Sequence, residues 1–99
     1  MLPAMNLESL RRLRPQIDEI ARRHGATRLR VFGSVARGTE DAESDVDFLV
    51  DLAEGRGLLD LGGLLMDLEE LLGTKVDVAT PNGLKERIRA RVIKEAVPL

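Results

Sequence analysis

The sequence predicts an α/β (α+β) fold, with a small mixed β-sheet that helices cover on one side. Short apolar segments with strand-like alternation lie between longer segments of helical periodicity, in the order α-(α)-β-β-α-β-α. The chain has 99 residues, which is enough for one modest core and too few for a second. We therefore expect a single domain over residues 1–99, with the uncovered sheet face partly open to a substrate.

Two helices are expected near the N-terminus. Asn6 is a good cap for the first of them. Pro15 would clash with the carbonyl four residues earlier, so we expect a break near Arg14. The second helix is then predicted to run from Pro15 to about His24 and to end at Gly25. His24 is the only histidine, and we assign it no catalytic role because it suits the negative end of the helix dipole.

Three strands and two shorter helices follow. The strands are predicted over residues 28–32, 46–52 and 75–79, where apolar side chains alternate. A short helix is expected at 34–37, because a Gly-Ser turn precedes it and serine is a favourable cap. The last helix is amphipathic, with Leu84, Ile88 and Val92 on one face after a Pro-Asn-Gly turn.

The longest helix is predicted over residues 58–72 and has a wide leucine stripe. Gly62 and Gly63 weaken its first turns and predict a delayed start. Leu58 and Met66 fall outside the stripe. Either this is a well-covered core helix, or it buries a second face against another chain.

Composition excludes several classes of protein. The chain has no cysteine, which excludes disulfides, thiolate catalysis and cysteine-ligated zinc. Phe32 and Phe48 are the only aromatic residues, so the stacking side chains of a dedicated single-strand nucleic-acid binder are missing and we expect no direct nucleic-acid binding. No stretch approaches the roughly 20 apolar residues of a membrane span, and no signal-peptide pattern is present. We therefore expect a cytoplasmic protein that does not contact a membrane.

The net charge of −2 hides an uneven distribution. Residues 1–38 carry eight basic against three acidic side chains, residues 39–72 carry one against eleven, and residues 73–99 carry six against three. An acidic middle between basic ends would suit a cation site flanked by phosphate-attracting surface.

Three aspartates are the candidate metal ligands and catalytic groups. Asp45 and Asp47 are separated by one residue, so on a strand they project from one face, roughly 6.6 Å apart. If strand three pairs beside strand two, Asp77 joins them, because its valine neighbours face the other way. Carboxylates gathered in this way repel each other unless a hard cation such as Mg²⁺ lies between them. Three carboxylates can hold two Mg²⁺ ions for in-line displacement at phosphorus, with Asp77 placed to accept the proton of the attacking hydroxyl.

The turn at Gly33 and Ser34 is the candidate phosphate-binding element. Gly33 has no Cβ, so the backbone can approach a phosphate closely. Ser34 offers a hydroxyl and begins a helix whose first amides suit anions. Arg37 follows one helical turn later and could neutralise phosphate charge. The combination of this turn with strand-borne aspartates predicts an enzyme that transfers a nucleotidyl group.

The motif Gly33-Ser34, ten residues, then Asp45-Val46-Asp47 resembles the signature of the DNA polymerase beta-like nucleotidyltransferase superfamily. The longer segments, residues 32–38, 44–50 and 75–78, look like those of its minimal nucleotidyltransferases (MNT). The resemblance implies a nucleotidyltransferase-like fold, triphosphate binding by Gly33 and Ser34, and metal-binding and catalytic roles for Asp45, Asp47 and Asp77. Arg37 matches the frequent Ala-Arg-Gly of that family.

Minimal proteins of this type are similar to the antitoxins of HEPN–MNT toxin–antitoxin pairs. That resemblance implies ATP as the nucleoside triphosphate, and as partner a HEPN ribonuclease toxin that the antitoxin adenylylates on a tyrosine, in a hetero-oligomer. Our leading hypothesis is a Mg²⁺-dependent protein adenylyltransferase that acts as an antitoxin. Two alternatives are an antitoxin that only binds its partner and occludes it, and an oligomeric nucleotidyltransferase for small molecules of the aminoglycoside type.

Overall fold

The fold is built on a four-stranded mixed sheet in a computed structural model that describes residues 5–41 and 43–99. Its strands are β1 (Ala26–Phe32), β2 (Val46–Leu52), β3 (Val76–Ala79) and β4 (Val97–Pro98), in the spatial order β3-β2-β1-β4. β2 pairs antiparallel with β1 and parallel with β3, and β4 pairs antiparallel with β1. The predicted mixed sheet is confirmed, and the sequence analysis missed only the two-residue β4.

The helices are α1 (Leu7–Arg12), α2 (Arg14–Arg23), α3 (Gly33–Arg37), α4 (Leu58–Leu72) and α5 (Glu86–Glu95), with a short 3₁₀ helix at Pro81–Gly83. The side chain of Asn6 caps α1 by accepting a hydrogen bond from the Ser9 amide at 2.8 Å. The predicted break falls at Leu13, and Pro15 lies in the first turn of α2, where its missing N–H leaves no intrahelical bond unmade.

The hydrophobic core lies between one face of the sheet and helices α1, α2, α3 and α4. From the helices it contains Leu10, Ile17, Ile20, Val35, Leu64, Leu68 and Leu72, and from the strands Val31, Val46, Phe48, Val50 and Val76. Alternate residues of β2 supply the central part of this cluster, as the period of two in its sequence predicts. Because these alternate residues face the core, the residues between them in β2 must point to the opposite face of the sheet.

The opposite face of the sheet is covered at its centre and reachable at one end. Leu49 and Arg30 are paired across β1 and β2 on this face, and both are buried. The Arg30 guanidinium donates a hydrogen bond to Asp51 at 3.2 Å. Phe32, Asp47 and Asp77 are register partners at the end where β1 finishes and where β2 and β3 begin. The polar side chains therefore gather at this end of the sheet.

Helix α4 begins at Leu58, so the expectation that Gly62 and Gly63 delay its start is wrong. The helix starts early because the Asp60 carboxylate accepts a hydrogen bond from the Gly57 amide at 2.9 Å and so caps its first turn. Leu58 and Met66, which lie outside the leucine stripe, are exposed and Leu59 is 94% exposed, so the interpretation of α4 as a well-covered core helix is wrong for this side of it. Within the described ranges, no helix combines the length and the apolar character needed to cross a membrane.

The two adjacent glycines of α4 have different environments. A Cβ atom built on Gly63 would lie 2.7 Å from Cε1 of His24, whereas one on Gly62 would meet nothing within 4 Å. The His24 ring cannot easily move away, because its Nε2 is 2.6 Å from the Asp67 carboxylate. Gly63 therefore allows α4 to approach the C-terminal end of α2.

We expect Gly62→Ala to stabilise the fold by about 0.5–1 kcal/mol through helix propensity alone. Gly63→Ala gains the same propensity but displaces His24 from Asp67, so it should destabilise the fold by about 1–3 kcal/mol. Urea unfolding followed by circular dichroism compares the two variants directly. Equal stabilisation by both would show that the contact between Gly63 and His24 does not constrain the packing of α4 on α2.

Candidate active site

Asp47 and Asp77 are direct neighbours on adjacent parallel strands. β2 and β3 pair in the register that places Asp47 beside Asp77, with Val46 beside Val76. Both valines are buried, which turns the aspartates to the opposite face of the sheet. Asp45 immediately precedes β2 and is half-buried. The structure thus brings together the three aspartates that the sequence singled out.

Burial raises the pKa of Asp47 to about 6, and the neighbouring carboxylates of Asp77 and Asp45 add to that rise. The Arg37 guanidinium acts in the opposite direction, and Glu95 adds a smaller upward contribution. Negative charge is therefore concentrated around one carboxylate that is partly withdrawn from solvent. An ionised Asp47 is unfavourable there unless positive charge is supplied.

The turn after β1 lies directly against Asp47. Gly33 has φ +76°, a backbone conformation that residues with a Cβ rarely adopt. A Cβ atom built on Gly33 would overlap the carboxylate of Asp47. The glycine is therefore required twice, for the turn itself and for the close approach of the Asp47 carboxylate.

Ser34 and Arg37 lie on α3, which starts at this turn and packs against β2. Ser34 is half-buried, and the side chain of Arg37 is 54% exposed. The Arg37 guanidinium is close enough to Asp47 to lower the pKa of that carboxyl. The short helix therefore brings a hydroxyl and a cation to the same end of the sheet as the aspartates.

Glu95 is a site residue that the sequence analysis missed. Its carboxylate accepts a hydrogen bond from the Gly33 amide at 2.9 Å and another from Nη1 of Arg37 at 2.7 Å. These contacts span 62 and 58 residues of sequence. Glu95 ends the charged helix α5 and has no distinguishing neighbours, so no local pattern could have identified it.

The donor atoms at this end of the sheet are carboxylate oxygens, which hard cations such as Mg²⁺ prefer. Across residues 5–41 and 43–99, no three ligand-type side chains converge tightly enough to enclose a metal ion in their observed conformations. Asp77 is exposed, so its side chain is not packed in place. The chemistry of the donor set fits Mg²⁺, and tight ligation requires side-chain adjustment around Asp47.

The comparison with protein families agrees with this geometry. Residues 12–99 match the nucleotidyltransferase domain family. The protein adenylyltransferase MntA of Thermococcus cleftensis is 39% identical over 97 residues, which cover 98% of this chain and 96% of that protein. A relative in Methanocaldococcus jannaschii, provisionally named a protein adenylyltransferase, is 42% identical over 93 residues that cover 94% of this chain and 97% of its own length.

Solved structures show the same architecture. A protein described as a minimal nucleotidyltransferase is 50% identical, with a TM-score of 0.85 and coverage of 96% of this chain and 97% of its own. A crystal structure of a toxin–antitoxin with AMP-PNP has a TM-score of 0.72 over 85% of this chain and 69% of that one. Its 21% identity shows the shared fold alone. The family match and the near full-length relatives establish that this chain belongs to the nucleotidyltransferase domain family and is an enzyme of nucleotidyl transfer.

Proposed function

We propose that this chain is a Mg²⁺-dependent protein adenylyltransferase that transfers AMP from ATP to a tyrosine hydroxyl of a HEPN ribonuclease toxin, and so acts as its antitoxin. The observation that carries the proposal is the position of Asp47, which lies beside Asp77 in the sheet and against the turn at Gly33. The near full-length relative named protein adenylyltransferase MntA supports a protein acceptor. Similarity in fold to toxin–antitoxin structures supports the kind of partner.

The proposed reaction is a displacement at the α-phosphorus of ATP. The acceptor oxygen forms a bond to this phosphorus while the bond to the oxygen that bridges to the β-phosphate breaks, and pyrophosphate leaves. Asp77 accepts the proton of the acceptor hydroxyl. The Ser34 hydroxyl and the Arg37 guanidinium hold the non-transferred phosphates, and Gly33 lets the triphosphate approach the aspartates.

Asp45, Asp47 and Asp77 would hold the metal in this proposal. When bound, Mg²⁺ supplies positive charge for the triphosphate and the departing pyrophosphate. The elevated pKa of Asp47 supports this assignment, because a cation would relieve the repulsion that the carboxylates impose on one another.

Asp45→Asn keeps the size of the side chain but removes its charge. We expect transfer of AMP to fall on the order of 100-fold or more, because charge stabilisation at the reacting phosphate is lost. The measurement is the intact mass of the protein encoded beside this chain in the genome, after incubation with ATP and Mg²⁺. Asp18→Asn is the control, since Asp18 is an exposed partner of Arg14 on α2.

An adduct on the neighbour that survives Asp45→Asn would contradict the metal-binding assignment. Neutralisation of a toxic neighbour with no adduct in the unchanged protein would instead support occlusion by binding. Adducts on an added aminoglycoside, with none on the neighbour, would support a small-molecule acceptor. Each of the last two results would overturn the proposed protein acceptor.

Gly33 and Gly38 provide a matched pair, because their φ angles are +76° and +75°. An alanine at either position pays about 1–2 kcal/mol for the left-handed conformation. Only at Gly33 does the new methyl group overlap the Asp47 carboxylate, since a Cβ at Gly38 would meet nothing within 4 Å. We expect Gly33→Ala to abolish AMP transfer and Gly38→Ala to retain it, when both are assayed well below their melting temperatures. Equal activities of the two variants would show that AMP transfer does not depend on the close contact between Gly33 and Asp47.

Asp47→Asn tests the electrostatic strain of the site. Because the pKa of Asp47 is raised in the folded chain, its ionised form opposes folding at neutral pH, and this penalty fades as the pH falls from about 6 towards 4. Asp47→Asn should therefore stabilise the chelator-treated protein at pH 7 by about 1–2 kcal/mol, a value reduced from the full shift because the carboxyl is partly exposed.

Urea unfolding in EDTA at pH 7 and at pH 4 measures this effect. The gain should shrink at pH 4, where Asp47 of the unchanged protein is protonated. The same variant should be inactive in AMP transfer. A loss of stability at pH 7 would contradict the idea that the three aspartates repel one another in the fold.

A further inference from the structure

The carboxylate of Glu95 joins the two parts of the phosphate-binding element. One oxygen accepts from the Gly33 amide at 2.9 Å and the other from Nη1 of Arg37 at 2.7 Å. Gly33 is the turn residue that lies against Asp47, and Arg37 carries the positive charge that lowers the pKa of that carboxyl. A single side chain from the C-terminal helix thus links the turn, the cation and the aspartates.

Glu95 is held firmly in this position. It is the last residue of α5, and α5 packs against α3. Two residues later the chain enters β4, where Val97 pairs with Val31 of β1. The Glu95 side chain is only 21% exposed. Its backbone is therefore fixed from both sides, and the carboxylate reaches the turn without an extended, mobile linker.

Glu95 is ionised at neutral pH. Burial acts to raise the pKa of this carboxyl, but the hydrogen bonds from Arg37 and Gly33, with the charges of Arg37 and Arg91, lower it overall. A charged acceptor forms stronger hydrogen bonds than a neutral one. The bridge is therefore made of two charge-assisted contacts.

We propose that Glu95 is a positioning residue for nucleotide binding, which fixes the Gly33 turn and orients Arg37 towards the phosphates of the nucleotide. This inference rests on the proposed function, because it assigns Glu95 to the phosphate-binding side of the same site. Glu95 acts through Arg37 and the turn and does not itself contact the nucleotide.

The geometry indicates that Glu95 supports nucleotide binding and does not compete with the phosphates for Arg37. A guanidinium has five N–H donors, and the carboxylate of Glu95 engages only the Nη1 side of Arg37. With its side chain 54% exposed, Arg37 can present its other donors to a phosphate. The Gly33 amide has one hydrogen, and pairing it with Glu95 satisfies a partly buried donor at a turn of positive φ. Both contacts order groups that would otherwise lose entropy when the nucleotide binds.

Glu95→Gln keeps the size of the side chain but leaves one acceptor oxygen for two donors, so the bridge cannot form in full. We expect the Kd for ATP in the presence of Mg²⁺ to rise about 10-fold, by analogy with the loss of residues that orient a ligand-binding group. Titration calorimetry on the whole chain provides the Kd. Glu86→Gln is the matched control, because Glu86 is an exposed glutamate at the other end of α5.

A second variant shows whether Glu95 acts through Arg37. In an Arg37→Gln background, Glu95→Gln should weaken ATP binding by clearly less than 10-fold, because only its contact with the Gly33 turn is then left to lose. Amide exchange measured by NMR provides a readout without nucleotide. Exchange at Gly33 should accelerate in Glu95→Gln and remain unchanged in Glu86→Gln.

Several outcomes would overturn the inference. A lower Kd in Glu95→Gln would identify Glu95 as a competitor of the phosphates, and an unchanged Kd would remove its positioning role. Full additivity with Arg37→Gln would overturn the proposal that Glu95 orients Arg37. Failure of the proposed function is a different result, namely ATP binding without an adduct on the partner protein. In that case the role of Glu95 is still decided by the Kd for ATP of Glu95→Gln relative to that of the unchanged chain.

Discussion

The contact between Asp47 and the Gly33 turn is the constraint on which the site depends. A residue with a Cβ at Gly33 could not lie against this carboxylate, and the turn needs a positive φ at the same position. The parallel register then sets Asp77 at the other side of Asp47. Because the core packing of Val46 and Phe48 fixes the direction of β2, none of these groups can turn away without disturbing the hydrophobic cluster.

The carboxylates of the site repel one another in the folded chain. Asp47 is partly buried beside two further carboxylates, and Arg37 provides only partial compensation. Such an arrangement is typical of sites whose function requires a cation. Clustered carboxylates lower the stability of the fold, and selection keeps them where they are needed for binding. The rest of the domain supplies the stability that this arrangement requires, through one contiguous core between the sheet and four helices.

The Gly33 turn and the residues that hold it come from distant segments of the chain. The turn and α3 follow β1, whereas Glu95 comes from the end of α5 and is anchored by β4. β4 has only two residues, yet its pairing with β1 brings the end of α5 back to the turn. The C-terminal segment therefore adds an edge strand to the sheet and also brings Glu95 to the end of the sheet where the aspartates lie.

Local patterns in the sequence were sufficient for the strands, the long helices and the Gly-Ser and Asp-x-Asp elements, because alternation, caps and glycines act over a few neighbouring residues. The delayed start of α4 was a wrong expectation because the local cap between Asp60 and Gly57 outweighs the two glycines, whereas no local pattern could reveal that Gly63 lies against His24. Local patterns also could not reveal that Glu95 bridges Gly33 and Arg37, because nothing in the sequence distinguishes this glutamate from the other charged residues of α5. Contacts between residues far apart in the chain are decided by how helices pack on the sheet, and only the tertiary structure contains that information.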